Sequence, residues 1–191
     1  MFDSIQKTLI AKWYHFLLIL SAGNLLLSIA GFLPIDANMI TWARYVVFLF
    51  SAYCLLQLRC VSIRYRKAAV FKGLLVLCSL LNAMMAASLT LAVSAISLLA
   101  TYLEYVAHAK AIQKRDAALS RKWYRLFNIG LLVSAGSVLV SMVAAAMLSA
   151  SGDSAGLFTL ISYLVIAAEL ALQVFYLLLL NRTKKCFLEE E

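Results

Sequence analysis

One acidic residue stands inside the last apolar stretch of this sequence. Glu169 lies near the middle of residues 157–180, where an acidic side chain in a membrane helix costs about 2.5 to 3.5 kcal/mol. We therefore expect it to face the interior of a helix bundle, either protonated or paired. Ser162, Gln173 and Tyr176 fall on the same helical face. This stripe indicates a carboxylate that binds a proton or a solute; the alternative is a structural hydrogen bonder.

A second polar stripe runs along residues 90–108. Its members alternate spacings of four and three, which places them on one helical face: Thr90, Ser94, Ser97, Thr101, Glu104 and His108. Side chains four residues apart on a helix meet, so Glu104 and His108 are expected to share a proton. Two other interpretations stay open. The hydroxyls can bond to their own helix, and His108 can lie on the surface at the membrane interface.

The candidate ligand-binding or proton-binding residues come from these two stripes. They are Glu169, Gln173, Tyr176, Glu104, His108 and Thr101. The sequence has no H-E-x-x-H, G-x-S-x-G or Walker A motif, so we expect no catalytic residue, no metal and no cofactor. A membrane enzyme that uses Glu104 and His108 on a lipid-like substrate is the least favoured hypothesis.

The elements that must position these side chains are membrane helices. The chain is 64% hydrophobic and 14% charged, whereas soluble domains are about 45 to 50% apolar and about 25% charged. We predict an all-α integral membrane protein with a single transmembrane domain over residues 1–191. It is expected to form a six-transmembrane-helix bundle of three hairpins, with spans near 13–31, 42–60, 71–87, 90–108, 126–148 and 157–180.

The apolar stretch 73–109 decides the number of spans. As one helix it would be about 55 Å long, almost twice the hydrocarbon thickness of about 30 Å. Two spans that turn near Ala87, Ser88 and Leu89 fit better, although no Gly or Pro marks that turn. The alternative is a five-span protein whose C-terminus lies outside.

The distribution of basic residues predicts the orientation. In the six-span topology, all of the 17 Lys and Arg residues except Arg44 fall on the side that holds both termini, so the positive-inside rule makes both termini cytoplasmic. The division of charge between the two sides then explains the net charge of +8, and anionic phospholipid at the cytoplasmic face is its expected partner. We expect no nucleic-acid partner, and a place in the plasma (cell inner) membrane.

Small polar residues at helical spacing suggest how the helices pack. Two such seams occur, Ser21–Asn24–Ser28 and Ser134–Ser137–Ser141, and small residues let membrane helices approach closely. Two functions follow from the sequence. The first is binding or transport of a small solute through a polar seam centred on Glu169. The second is a non-enzymatic accessory, sensor or assembly subunit that packs against a membrane partner or forms a homo-oligomer.

Overall fold

The fold comes from a computed structural model, which describes residues 4–84, 89–150 and 155–188, with side chains described for 5–84, 89–139 and 162–188. Its α-helices are α1 (Ser4–Ala30), α2 (Ala37–Gln57), α3 (Ile63–Met84), α4 (Thr90–Ile112), α5 (Ala117–Ala150) and α6 (Ala155–Leu188), with a short 3-10 helix at Leu58–Cys60. The described residues contain no strand. The fold is therefore an all-α bundle, as the composition predicted.

Helices satisfy every backbone hydrogen bond within one segment, which is the requirement that lipid imposes on a spanning chain. Five segments are long and apolar enough to cross a membrane: Ile5–Ala30, Ala37–Cys60, Ile63–Met84, Thr90–Ile112 and Ser162–Leu188. The protein is thus an integral membrane protein of the multi-pass, helical type. Crossing by α5 would make the sixth span, and that number and the sidedness of the termini stay predictions.

Several helices extend beyond the apolar stretches seen in the sequence. α1 begins at Ser4, α3 at Ile63 and α5 at Ala117, while α6 continues to Leu188. The added turns carry most of the Lys and Arg residues. A hydropathy pattern leaves these charged residues out of a predicted span, but they do not prevent the helix from continuing. These turns project from one end of the bundle, which we call the basic end.

Stretch 73–109 is divided between two helices rather than being one. α3 ends at Met84 and α4 begins at Thr90, and the predicted turning residues Ala87 and Ser88 lie outside the described residues. The Asn82 side-chain oxygen accepts a hydrogen bond from the backbone N–H of Leu89 at 2.8 Å. An Asn therefore ties the connection together where the sequence has no Gly or Pro.

The six helices form a closed ring. Each helix packs against its neighbours in the chain, and α1 packs against α6. Consecutive helices run in opposite directions. The basic end therefore contains the starts of α1, α3 and α5 and the ends of α2, α4 and α6. This ring has an interior, and the polar side chains that face it form the candidate site.

The buried core lies mainly towards the basic end of the ring. Every helix contributes to it, and the fully enclosed large side chains include Tyr14, Leu58, Tyr65, His108, Trp123 and Phe187. Further from the basic end, the interior is occupied by cavities rather than by packed side chains. The ring is consequently closed at one end and hollow in its middle.

Candidate functional site

A polar cavity of about 170 Å³ lies inside the ring. Five helices line it, from α1 to α4 and α6, and its polar lining comprises Ser21, Asn24, Ser51, Lys72, Ser97, Thr101, Glu104, Tyr105, Gln173 and Tyr176. We call it the central cavity. Its lining brings together four of the residues predicted from the sequence, Thr101, Glu104, Gln173 and Tyr176.

An ion pair borders the central cavity. Lys72 Nζ on α3 donates to Glu104 Oε2 on α4 at 2.7 Å, and the two side chains are only 15% and 7% exposed. The Lys72 ammonium also lies 6.0 Å from the centroid of the Phe48 ring, a distance at which a cation is attracted to an aromatic face. A positive and a negative group therefore stand side by side within an apolar bundle.

Two residues of α6 complete the polar lining. The Tyr176 hydroxyl donates to Glu104 Oε1 at 2.7 Å, so both oxygens of that carboxylate have a donor. Gln173 Nε2 donates to Ser28 Oγ of α1 at 3.3 Å. Gln173 and Tyr176 thus face the interior of the ring, on the side of α6 that the sequence spacing indicated.

Glu169 lines a second cavity, further from the basic end. This cavity, of about 360 Å³, shares Asn24, Phe48 and Gln173 with the central cavity and also borders Arg44. We call it the outer cavity. Glu169, which the sequence analysis placed towards the bundle interior, borders this cavity, and its side chain is exposed rather than covered by a neighbouring helix. Among the described side chains it makes no ion pair with Arg44.

The position of Glu169 has a geometrical cause. α6 packs against α1 and α5, and Gln173 and Tyr176, one and two turns closer to the basic end, are covered by α1 and α4. At the level of Glu169 the helices border the outer cavity instead of one another. The carboxylate therefore borders the outer cavity, which shares Asn24, Phe48 and Gln173 with the central cavity.

The small polar seam of α1, which the sequence suggested as a helix-packing surface, borders both cavities. Ser21 and Asn24 border the central cavity, and Asn24 and Ser28 border the outer one. The hydroxyls of Ser21 and Ser28 also donate to backbone oxygens four residues earlier, at 2.8 and 3.0 Å. In α5, Ser134 and Ser137 line a further cavity that residues of α2, α3 and α4 also border, and the side chain of Ser141 lies outside the described residues.

A layer of rings closes the interior at the basic end. We call it the aromatic plug and define it as Tyr14, Tyr65, His108, Trp123 and Phe187, all of them 0% exposed. The hydroxyls of Tyr14 and Tyr65 are hydrogen bonded, and Tyr65 Oη lies 2.9 Å from His108 Nδ1. The His108 ring stacks on Trp123 with 4.6 Å between centroids. The five rings therefore fill the interior at this level with side chains that have no exposed surface.

Hydrogen bonds between helices hold the plug in place. Trp123 Nε1 donates to Thr183 Oγ1 at 3.0 Å, and the Thr183 hydroxyl donates in turn to the backbone oxygen of Leu179 at 2.9 Å. Buried polar groups of this kind are costly when unpaired. His108 Nε2 is the exception, because it is buried without a hydrogen-bond partner in the described part of the chain.

The expected proton sharing between Glu104 and His108 is wrong. The spacing correctly puts both residues on the interior face of α4, but each finds partners on other helices: Lys72 and Tyr176 for Glu104, Tyr65 for His108. His108 is buried in the plug, so the alternative of a surface histidine is wrong as well.

Lys72 is the site residue that the sequence analysis missed. It was counted only as one of the cytoplasmic cations, because it directly precedes the apolar stretch that starts at Gly73. α3 begins nine residues earlier, at Ile63, which puts Lys72 about 14 Å into the helix. The sequence did contain a signal: residues 68–71, just before Lys72, are also apolar. Apolar residues on both sides indicate that Lys72 lies within a helix rather than before one.

Among the described residues, no group of three or more His, Cys, Asp or Glu side chains is arranged to hold a metal ion. The lining of the central cavity offers a ligand hydrogen bonds and ion pairs from side chains. No protein-family model, curated protein or solved structure matches this chain.

Proposed function

We propose that this protein binds a small polar solute in the central cavity and transports it through the interior of the helix ring. The observation that carries the proposal is the Lys72–Glu104 ion pair at the cavity wall. Glu104, Tyr176, Gln173 and Thr101 are the proposed contact residues, and Glu169 lines the access path. The proposal moves the centre of the site from Glu169 to Glu104.

Energetics support a functional role for the pair. Desolvation of two charges within a protein is often not repaid by their attraction, and apolar replacements are often equally stable. Ionisable residues inside membrane segments commonly mark the pathways of solutes and ions. An ion pair that contributes little to stability but borders a polar cavity is therefore more simply explained as part of a ligand-binding site.

The lining favours a solute with charges of both signs. A carboxylate of the solute would approach Lys72, and an ammonium group would approach Glu104, so the ligand would insert into the existing pair. The volume of about 170 Å³ corresponds to the share of about five or six water molecules in the liquid. We therefore propose a small zwitterion, such as a short amino acid, as the class of solute.

Thermal unfolding of the purified protein in detergent tests the proposal. Glycine, L-alanine and L-serine serve as zwitterionic probes, with acetate and ethylamine as singly charged controls. At saturation, at least one zwitterion is expected to raise Tm by several degrees, because a ligand at 100 times its Kd adds about 2.7 kcal/mol. If no zwitterion shifts Tm, the proposed class of solute is wrong.

The matched variant is Lys72→Met with Glu104→Gln, which removes both charges and keeps the side-chain volumes. It is expected to fold, because neither charge is left unpaired, and to lose the response to the zwitterion. An unchanged response would move the site away from the pair. If the wild type binds none of the probes and also fails to take them up in vesicles, the accessory-subunit hypothesis takes precedence.

A further inference from the structure

An apolar groove runs along the outer surface of the ring, between α5 and α6. Its volume is about 550 Å³, and its wall is formed by Leu126, Ile129, Val133, Ala168, Ala171, Leu172, Phe175, Leu178 and Leu179. It lies on the outer surface because Ile129, Phe175 and Leu178 in its wall are more than half exposed, and it shares no lining residue with the central cavity. The groove is therefore distinct from the site proposed above.

Three cations stand at one end of this groove. Lys122 and Arg125 of α5 and Arg182 of α6 line it at the basic end, and all three side chains are exposed. None of them forms an ion pair within the described part of the chain. No acidic residue lines the groove, so the described residues leave the three positive charges at its polar end uncompensated.

The length of the groove matches one leaflet of a membrane. From Arg182 to Ala168 the helix rises about 21 Å, and one leaflet is about 20 to 22 Å thick when its headgroup region is included. A molecule seated there would have a negatively charged group at the membrane surface and an apolar part that reaches the bilayer centre. That combination is the chemistry of an anionic phospholipid.

We infer that this groove is a binding site for one anionic phospholipid, whose phosphate lies among Lys122, Arg125 and Arg182 and whose acyl chain lies along α5 and α6. The inference goes beyond the diffuse attraction of anionic lipid to a basic surface. A polybasic surface gains about 1 kcal/mol per Lys or Arg near anionic lipid wherever the charges lie. A groove also fixes the position of the lipid, because the phosphate must contact the cations while the acyl chain contacts the apolar wall.

Native mass spectrometry of the delipidated protein in detergent tests the inference. The protein is titrated with dioleoyl-phosphatidylglycerol and, separately, with dioleoyl-phosphatidylcholine, which has the same acyl chains but no net charge. The wild type is expected to bind the first phosphatidylglycerol on the order of tenfold more tightly than the first phosphatidylcholine. Equal binding of the two lipids would overturn the inference.

Two triple variants separate a site from general electrostatics. The first triple variant is expected to abolish the preference for phosphatidylglycerol; it combines Lys122→Gln, Arg125→Gln and Arg182→Gln. The second removes the same charge from three exposed residues at the start of α3 and is expected to keep that preference; it combines Arg64→Gln, Arg66→Gln and Lys67→Gln. If both triples weaken the preference equally, the attraction is diffuse and the groove is no site.

The apolar half of the groove has its own variant. Ala168→Phe with Ala171→Phe fills the wall without any change of charge, so it is expected to weaken the first bound lipid. Glycerol 3-phosphate alone should not displace that lipid; displacement would indicate a phosphate site instead. If the wild type is a dimer that the two Phe substitutions dissociate, the groove binds a second copy of the chain, and the inference is wrong.

Discussion

Two carboxylates of the same residue type have opposite surroundings in this protein. Glu104 is 5% exposed, and both of its oxygens accept hydrogen bonds, one from Lys72 and one from Tyr176. Glu169 is exposed and lines the outer cavity. Removal of one partner from a buried pair leaves an uncompensated charge, which costs about 3 to 5 kcal/mol. No such cost applies to an exposed side chain.

The same substitution should therefore have different effects at the two positions. Glu104→Gln is expected to lower the free energy of unfolding by about 3 kcal/mol, because the Lys72 ammonium loses its counter-ion. Glu169→Gln is expected to leave the free energy of unfolding within about 0.5 kcal/mol of the wild type. Denaturant unfolding in detergent micelles measures both, and a large loss for Glu169→Gln would show that its environment is closed.

The double variant of the ion pair supplies the control for this comparison. Lys72→Met with Glu104→Gln should recover most of the stability that Glu104→Gln loses, since neither charge is then left alone. The result is analysed as a double-mutant cycle, in which residues in contact give non-additive effects. If the stability losses of Lys72→Met and Glu104→Gln alone add up to the loss of the double variant, the pair does not interact in the folded protein.

At the scale of elements, the connection between α3 and α4 depends on a side chain. α4 begins after Leu89, which has no side-chain cap of its own, and the Leu89 N–H is bonded to Asn82 instead. Loss of such a cap costs about 1 kcal/mol. Asn82→Ala should lower the free energy of unfolding by that amount and speed hydrogen exchange at the Leu89 amide.

A conservative variant tests whether this effect comes from the hydrogen bond. Asn82→Asp keeps an oxygen acceptor at the same position, so the Leu89 amide is expected to retain its protection. Hydrogen–deuterium exchange with mass spectrometry can follow a peptide that contains residue 89 in all three proteins. Equal exchange in wild type and Asn82→Ala would show that the turn is held by other contacts.

The sequence predicts single elements better than the contacts between them. The spacing of Thr101, Glu104 and His108 identified the interior face of α4, because helical periodicity is a local property. It could not identify Lys72 or Tyr65 as partners, because the neighbours of a helix depend on the ring that all six helices close. For the same reason the spacing put Glu169 on the face of α6 that carries Gln173, but it could not reveal that this side chain borders a cavity instead of being covered by another helix.

At the scale of the whole molecule, the ring is asymmetric along its axis. The aromatic plug closes the basic end with side chains from α1, α3, α4, α5 and α6. The outer cavity, in contrast, reaches Phe32 in the turn between α1 and α2, at the opposite end of these helices. A solute could thus reach the central cavity from that end and would be stopped at the plug.

Single cysteines in a variant that lacks Cys54, Cys60, Cys78 and Cys186 test this asymmetry. A membrane-impermeant methanethiosulfonate reagent is applied to sealed vesicles from one side at a time. Asn24→Cys, in the wall of both cavities, is expected to react only from the side opposite to the basic end. Lys67→Cys, exposed at the basic end, should react only from the other side.

A third position examines the plug itself. Leu58 is 0% exposed among the core residues beside the plug, so Leu58→Cys is expected to resist the reagent from both sides, because bulky charged molecules cannot enter a close-packed interior. Modification of Leu58→Cys at the rate of Lys67→Cys would show that the basic end is open. Modification of Asn24→Cys from the basic end would reverse the proposed direction of access.

The same vesicles test the predicted sidedness of the chain, because the positive-inside rule requires the reagent to reach Lys67→Cys from the cytoplasmic side.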